Sequence, residues 1–181
     1  MAYSWPHISN LLSSPSLAVD THLARSDDEG RTWTYSNTIW KTRVIKNSVT
    51  GKDNIVSHEV TNIFPQNKSG STSWYGISWD YLIKPKAGAL LYSQIGGYSY
   101  FSLHMASSPE GLADAPSQIL GFKRTSSILR PDVYLSSLHQ ELKDCQVWIE
   151  PALTIQNDRL YLVSRCMHFK RAKPTPEDDF Y

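Results

Sequence analysis

Nothing in this 181-residue chain approaches the ~18 consecutive apolar residues that a membrane-spanning helix needs. Its first residues also lack the basic start and apolar centre of a secretory leader, and the compartment is left open. Charge is scarce as well: 19% of residues are charged, against a usual ~25%. The 18 Lys and Arg face 17 Asp and Glu, a net charge of +1, so no basic field exists to steer nucleic acid or an anionic membrane. A small or neutral partner fits better. Cysteine is nearly absent. Cys145 and Cys166 are too far apart for a metal or redox spacing and too few for a disulfide framework, so two buried thiols are expected, with a single bridge as the alternative. No metal and no cofactor are implied. Helical periodicity is missing everywhere except 136–142, where a short helical turn or a loop fits.

What fills the gap is Ser, Thr, Asn and rings. Six Trp and ten Tyr, with ten Pro and nine Gly, are the mixture of short strands joined by polar turns, because flat side chains fit a pleated surface. The expected class is all-β. Candidate strands are 17–25, 32–39, 59–64, 74–82, 89–94, 98–106, 147–155 and 160–169. Turn-forming clusters fall at 26–30, 47–54, 65–73, 84–88, 107–116 and 156–159.

The chain resembles itself in two places. His22-Leu23-Ala24-Arg25-Ser26-Asp27-Asp28-Glu29-Gly30 matches His104-Met105-Ala106-Ser107-Ser108-Pro109-Glu110-Gly111, each a strand running into a Ser-led acidic turn. Glu59-Val60 followed by Trp74 to Ser78 matches Glu150-Pro151 followed by Leu160 to Ser164. Each unit therefore opens on a Glu-led strand and later reaches an acidic turn, the sign of a repeat architecture. With the first acidic turn at residue 26, too few residues precede it for the strands that should come before, and the last unit stops after two strands.

Ser26-Asp27-Asp28-Glu29-Gly30-Arg31-Thr32-Trp33 fits S-x-D-x-G-x-T-W at every fixed position. Ser26 and Asp28 can close such a turn by local hydrogen bonds, Gly30 allows a positive φ, Thr32 completes the pattern, and Trp33 is expected to pack between sheets. This segment resembles the Asp box (BNR repeat) of the sialidase superfamily. In that family it is a blade turn, marking fold rather than catalysis. The resemblance implies a partial β-propeller of four-stranded antiparallel blades, about two to three and incomplete. Its units are a blade remnant at 1–45, a blade at 55–125, a half blade at 145–170, and a polar tail at 173–181. Closed propellers have about 4–8 blades.

The resemblance extends to chemistry. Glu150-Pro151-Ala152-Leu153, then Leu160 to Arg165, looks like the sialidase segment in which a Glu opens an inner strand and an Arg ends the next. There the Glu partners a Tyr nucleophile and the Arg helps to clamp the sialic acid carboxylate. An Arg fork matches a carboxylate, and a carboxylate beside a phenol can take its proton. Glu150 and Glu59 are thus the candidate catalytic groups. Arg165, Trp79, His58, Asp80 and Tyr161 are the candidate substrate contacts, with Trp79 stacking on a sugar ring. Asp20 and His22 read as packing or rim residues. The family's Arg-x-Pro strand, acid-bearing Asp loop and third arginine have no counterpart here. Tyr75, Tyr98, Tyr100 and Tyr161 compete for the nucleophile.

The implied function is a sialidase-like glycoside hydrolase, or a remnant of one, acting on terminal glycosides. The alternatives are a non-catalytic Asp-box propeller that binds carbohydrate or protein, and an arabinanase-like five-bladed glycosidase. Open blade edges imply self-association.

Overall fold

A computed structural model describes residues 1–12, 14–85, 92–119 and 147–167, with the side chains of 60, 61, 85, 92–99, 118, 119, 147 and 167 outside the description. The turn expected at 136–142, Cys145 and the tail at 173–181 lie outside it too. The described residues are all-β and antiparallel but for one bridge. A first meander comprises β1 (Ala2–Ser9), β2 (Ser16–Arg25) and β3 (Thr34–Trp40). A second comprises β4 (Arg43–Lys46), β5 (Asp53–Lys68), β6 (Ser71–Pro85), β7 (Tyr92–Ala106) and the short β8 (Gln118–Ile119). A single parallel bridge, Ser16 to Tyr92, joins the two. The hairpin β9 (Val147–Gln156) and β10 (Arg159–Met167) forms its own two-stranded sheet. Neither sheet closes on itself among the described residues.

Turn chemistry sets the hairpins. Ser69 and Gly70 between β5 and β6 both have positive φ, 49° and 80°, and so do Asn157 and Asp158 between β9 and β10, 51° and 58°. Two left-handed residues match the twist of the flanking strands, and Gly, Asn and Asp tolerate that region best. Between β4 and β5 the buried Asn47 accepts from the amides of Val49 and Thr50 with Oδ1, at 2.9 and 2.8 Å.

Side-chain alternation gives β5, β6 and β7 two working faces. The register His58 to Asp80, Val56 to Leu82, Asp80 to Tyr100 and Ser78 to Ser102 puts these residues on one face. The opposite face carries Ile55, Ser57, Glu59, Trp79, Tyr81, Ile83 and Phe101. The largest core lies there, where Ile55, Ile77, Trp79, Tyr81, Ile83 and Phe101 meet Ala18 of β2 and Ile149 and Leu153 of β9. On the first face Val56, Leu82 and Tyr100 pack together, and farther along Trp40 seats on Gly76. A Cβ at Gly76 would lie 2.8 Å from the Trp40 ring, so only glycine lets the indole this close.

Several expectations are corrected. Two strands, β1 and β2, do precede the first acidic turn, because eight residues suffice for a strand. Pro6 hid the first of them, yet β1 is an edge strand and the missing N–H costs no ladder bond. The turn expected at 65–73 shrinks to Ser69-Gly70. Pro65 is accommodated because β4 pairs with β5 only as far as Val56, leaving that side of β5 unpaired by any described strand. The strands expected at 89–94 and 98–106 merge, within the described residues, into the continuous β7. Cys166 is disulfide-bonded rather than a buried thiol, and Cys145 is the chain's one other cysteine.

Candidate functional site

The loop between β2 and β3 is built as its residue types require. Ser26 Oγ accepts from the Gly30 amide at 2.8 Å and donates to Asp28 Oδ1 at 2.8 Å. Asp28 then accepts from Thr32 twice, from the amide at 2.8 Å and from the hydroxyl at 2.6 Å. Those bonds, the Thr32 hydroxyl first, then the Thr32 amide and Ser26, bring the Asp28 carboxyl down to a pKa of about 2. Gly30 has φ 86°. Trp33 corrects one expectation: it is 46% exposed rather than packed between sheets, and its indole N–H donates to the Gly30 carbonyl at 3.0 Å, folding the ring over its own turn. The repeat partner behaves alike. Ser108, leaving β7, accepts from the Gly111 amide at 3.1 Å, ahead of a single 3-10 turn over Glu110–Ala113.

The two glutamates that the repeat aligned lie near enough for the charge of one to act on the other. Glu59 shares the large-core face with Tyr81, its diagonal polar neighbour, and Ser57 stands directly opposite Tyr81 in the ladder. Tyr81 stands diagonally across the β5–β6 ladder from Glu59, within reach of a long side chain. Burial, and after it the charge of Glu150, raise the pKa of Glu59 above its ordinary 4.5. Burial, and after it the negative Glu59, hold the Tyr81 phenol well above its ordinary 10. Glu150 itself is paired with Arg165, whose Nη1 lies 3.0 Å from Oε2 and 3.3 Å from Oε1. A bulge explains its reach: β9 has two residues, Glu150 and Pro151, opposite Ser164 alone, and Glu150 takes φ 52°. A bulge re-aims a side chain, and a non-glycine residue at positive φ stores about 1–3 kcal/mol of strain.

The opposite face holds a second polar group. Asp80, only 1% exposed, accepts from Ser78 Oγ at 2.7 Å and from Ser102 Oγ, and its Oδ1 lies 2.7 Å from His58 Nδ1. A cleft of about 230 Å³ opens above this network, lined by Trp40, Lys41, Arg43, His58, Ser102 and His104 among others. The His104 ring lies against Trp40, with centroids 4.4 Å apart, and burial lowers its pKa.

The sequence matches no family model, no curated protein and no solved structure. Residue geometry alone therefore carries the reading of the site.

Of the expected site residues, Glu59, Glu150 and Arg165 come together. His58 and Asp80 form a separate group, because neighbours in a strand point to opposite faces. Trp79 does not offer a stacking surface to a ligand: it is 4% exposed and packs on Tyr81, with ring centroids 4.3 Å apart and its indole N–H buried without an acceptor. Tyr161 is exposed on β10 opposite Thr154. Asp20 accepts from the Thr42 amide at 2.6 Å, and His22 packs among Tyr3, Trp5 and Tyr35. Sequence reasoning missed Tyr81, Ser78, Ser102 and His104. The available signal was alternation, since Tyr81 shares a face with Trp79 two residues earlier.

Proposed function

We propose that the chain is part of an Asp-box β-propeller and acts as a sialidase-type glycoside hydrolase on terminal sugars, with Tyr81 as nucleophile and Glu59 as its base. The observation that supports this reading is the placement of Tyr81 beside Glu59 on one face of the β5–β6 ladder, near a second carboxylate that is paired with an arginine. Tyrosine nucleophiles are the recognised exception to the two-carboxylate rule of glycosidases. Tyr81 is 4% exposed in the core it shares with Ile149 and Leu153 of β9, so substrate reaches it as that packing opens; Tyr81 then passes its proton to Glu59 while the phenolic oxygen bonds to the anomeric carbon. The aglycone leaves with the glycosidic electron pair and takes a proton from solvent, and water then releases the sugar. Ser57, directly opposite Tyr81 in the ladder, would stabilise the charge that develops there. The orphaned indole N–H of Trp79 supplies a further donor beside the pair. Arg165 would exchange Glu150 for a substrate carboxylate, to which its fork is equally suited. The strained bulge at Glu150 fits a position held for chemistry.

Fluorogenic sialosides and arabinosides test this reading. We expect turnover by the wild type and a loss of at least about 10²-fold in Tyr81→Phe, the scale of a lost proton-transfer or nucleophilic role. Glu59→Gln should fall similarly. The acidic limb of kcat/KM should lie above pH 4.5, because Glu59 must be ionised and its pKa is raised, and Glu150→Gln should move that limb down by removing the second charge. Equal silence from wild type and Tyr81→Phe, with sialoside binding retained, would instead mean the non-catalytic propeller.

A further inference from the structure

We propose that the cleft above Asp80 is a second ligand site, distinct from the Glu59 cluster, and that it binds a small oxyanion of the phosphate class, free or as the head of a small ester. The two sites cannot share one ligand pose, because Glu59 and His58 project from opposite faces of β5.

Three observations carry the assignment. First, the lining carries cationic and donor groups from separate elements: Lys41 and Arg43 around the start of β4, and His58 from β5. Lys41 is exposed and makes no ion pair or hydrogen bond among the described residues. Second, the one carboxylate in the lining is already compensated. Both oxygens of Asp80 accept within the protein, from His58 and Ser78 on one side and from Ser102 on the other, so they do not oppose an incoming anion. Third, two nine-tenths-buried imidazoles line the cleft with a nitrogen unmet. His58, 8% exposed, spends Nδ1 on Asp80, and its Nε2 meets no partner among the described residues and is not sealed from solvent. His104, 7% exposed, has Nδ1 buried without a partner.

The arrangement gives His58 a defined task. Asp80 fixes the ring through Nδ1, which leaves Nε2 as the ring atom that would meet a bound anion. A charge-assisted bond of this kind is stronger than a neutral one, and the cations add a field that water screens poorly inside a cleft. Trp40 forms an apolar wall that would cover the non-anionic part of an ester.

The full chain, labelled on histidine ring nitrogens, can be titrated by NMR with inorganic phosphate, with glycerol phosphate, and with chloride at matched ionic strength. We expect a saturable shift of the His58 ring signals with phosphate and none with chloride. Tighter binding of glycerol phosphate identifies the ester head as the ligand, and equal binding identifies the free ion. Lys41→Ala, at an exposed position, should leave the fold intact and weaken binding about threefold or more. Tyr81→Phe, on the other face, should change nothing, so failure of the glycosidase reading leaves this test standing. Shifts that chloride reproduces, or phosphate binding unchanged in Lys41→Ala, would overturn the proposal.

Discussion

Asp28 shows how much of this protein is decided by single polar atoms. Its carboxylate lies half-buried at the surface, yet it closes a turn that joins two strands, and the Thr32 hydroxyl, the Thr32 amide and Ser26 hold its pKa at about 2 against an ordinary 3.8. The sign follows from linkage: an acid whose pKa is depressed on folding stabilises above its unfolded value, and that contribution is lost as pH falls through the folded value. The turn should therefore keep its bonds at pH 4 and lose them as the pH falls to about 2. The amide shift and exchange protection of Thr32 report this directly. Asp28→Asn should lower Thr32 protection at neutral pH and abolish the acid transition. A Thr32 amide indifferent to both changes would remove Asp28 from its role. These bonds were legible in the sequence, because every partner lies within four residues of another and no long-range register is needed. Trp33 was not, since whether a ring covers its own turn or enters a sheet interface depends on which sheet lies next to it.

At the level of strands, the missing information was the pairing. Alternating rings and polar residues announced β2, β6 and β10 well, and the repeat placed Glu59 and Glu150 in equivalent positions. Which residues share a face depends on register, and register is set by turns that the sequence left ambiguous. Reading 65–73 as one broad loop concealed the two-residue turn at Ser69-Gly70, and with it the alignment of Ser57 with Tyr81 and of His58 with Asp80. Hence one expected pocket divided into two sites on opposite faces. The network around Asp80 then ties three strands together, since β5 supplies His58, β6 supplies Ser78 and Asp80 itself, and β7 supplies Ser102. Asp80→Ala would orphan three buried donors at once, each costing about 1–3 kcal/mol, so a loss on the order of 3 kcal/mol is expected in urea unfolding. Ser78→Ala removes one donor and leaves the acceptor otherwise satisfied, and should cost about 1 kcal/mol. Equal effects of the two substitutions would show that the network does not hold these strands together.

For the whole molecule the deciding feature is what the β9–β10 hairpin leaves uncovered. Leu160, Tyr161, Leu162 and Val163 are consecutive, so they point alternately to both faces of the hairpin, and all four are exposed, Val163 to 68%. Among the described residues β10 pairs with β9 alone. A two-stranded sheet that exposes apolar side chains on both faces gains by further cover. In a propeller this is where the outer strands of a blade would lie, with the next blade against the sheet. A second copy meets the same need when those strands are not supplied. The chain should therefore self-associate, with a mass by light scattering that rises with concentration above the 20.5 kDa of one copy. Replacing Leu162 and Val163 by lysine puts one charge on each face of the edge strand and should return the mass to that of one copy, because desolvating a charge at a strand edge opposes pairing. An unmodified chain that stays at one-copy mass across concentrations would mean that the hairpin needs no cover, and the inference of self-association through it would lose its physical ground.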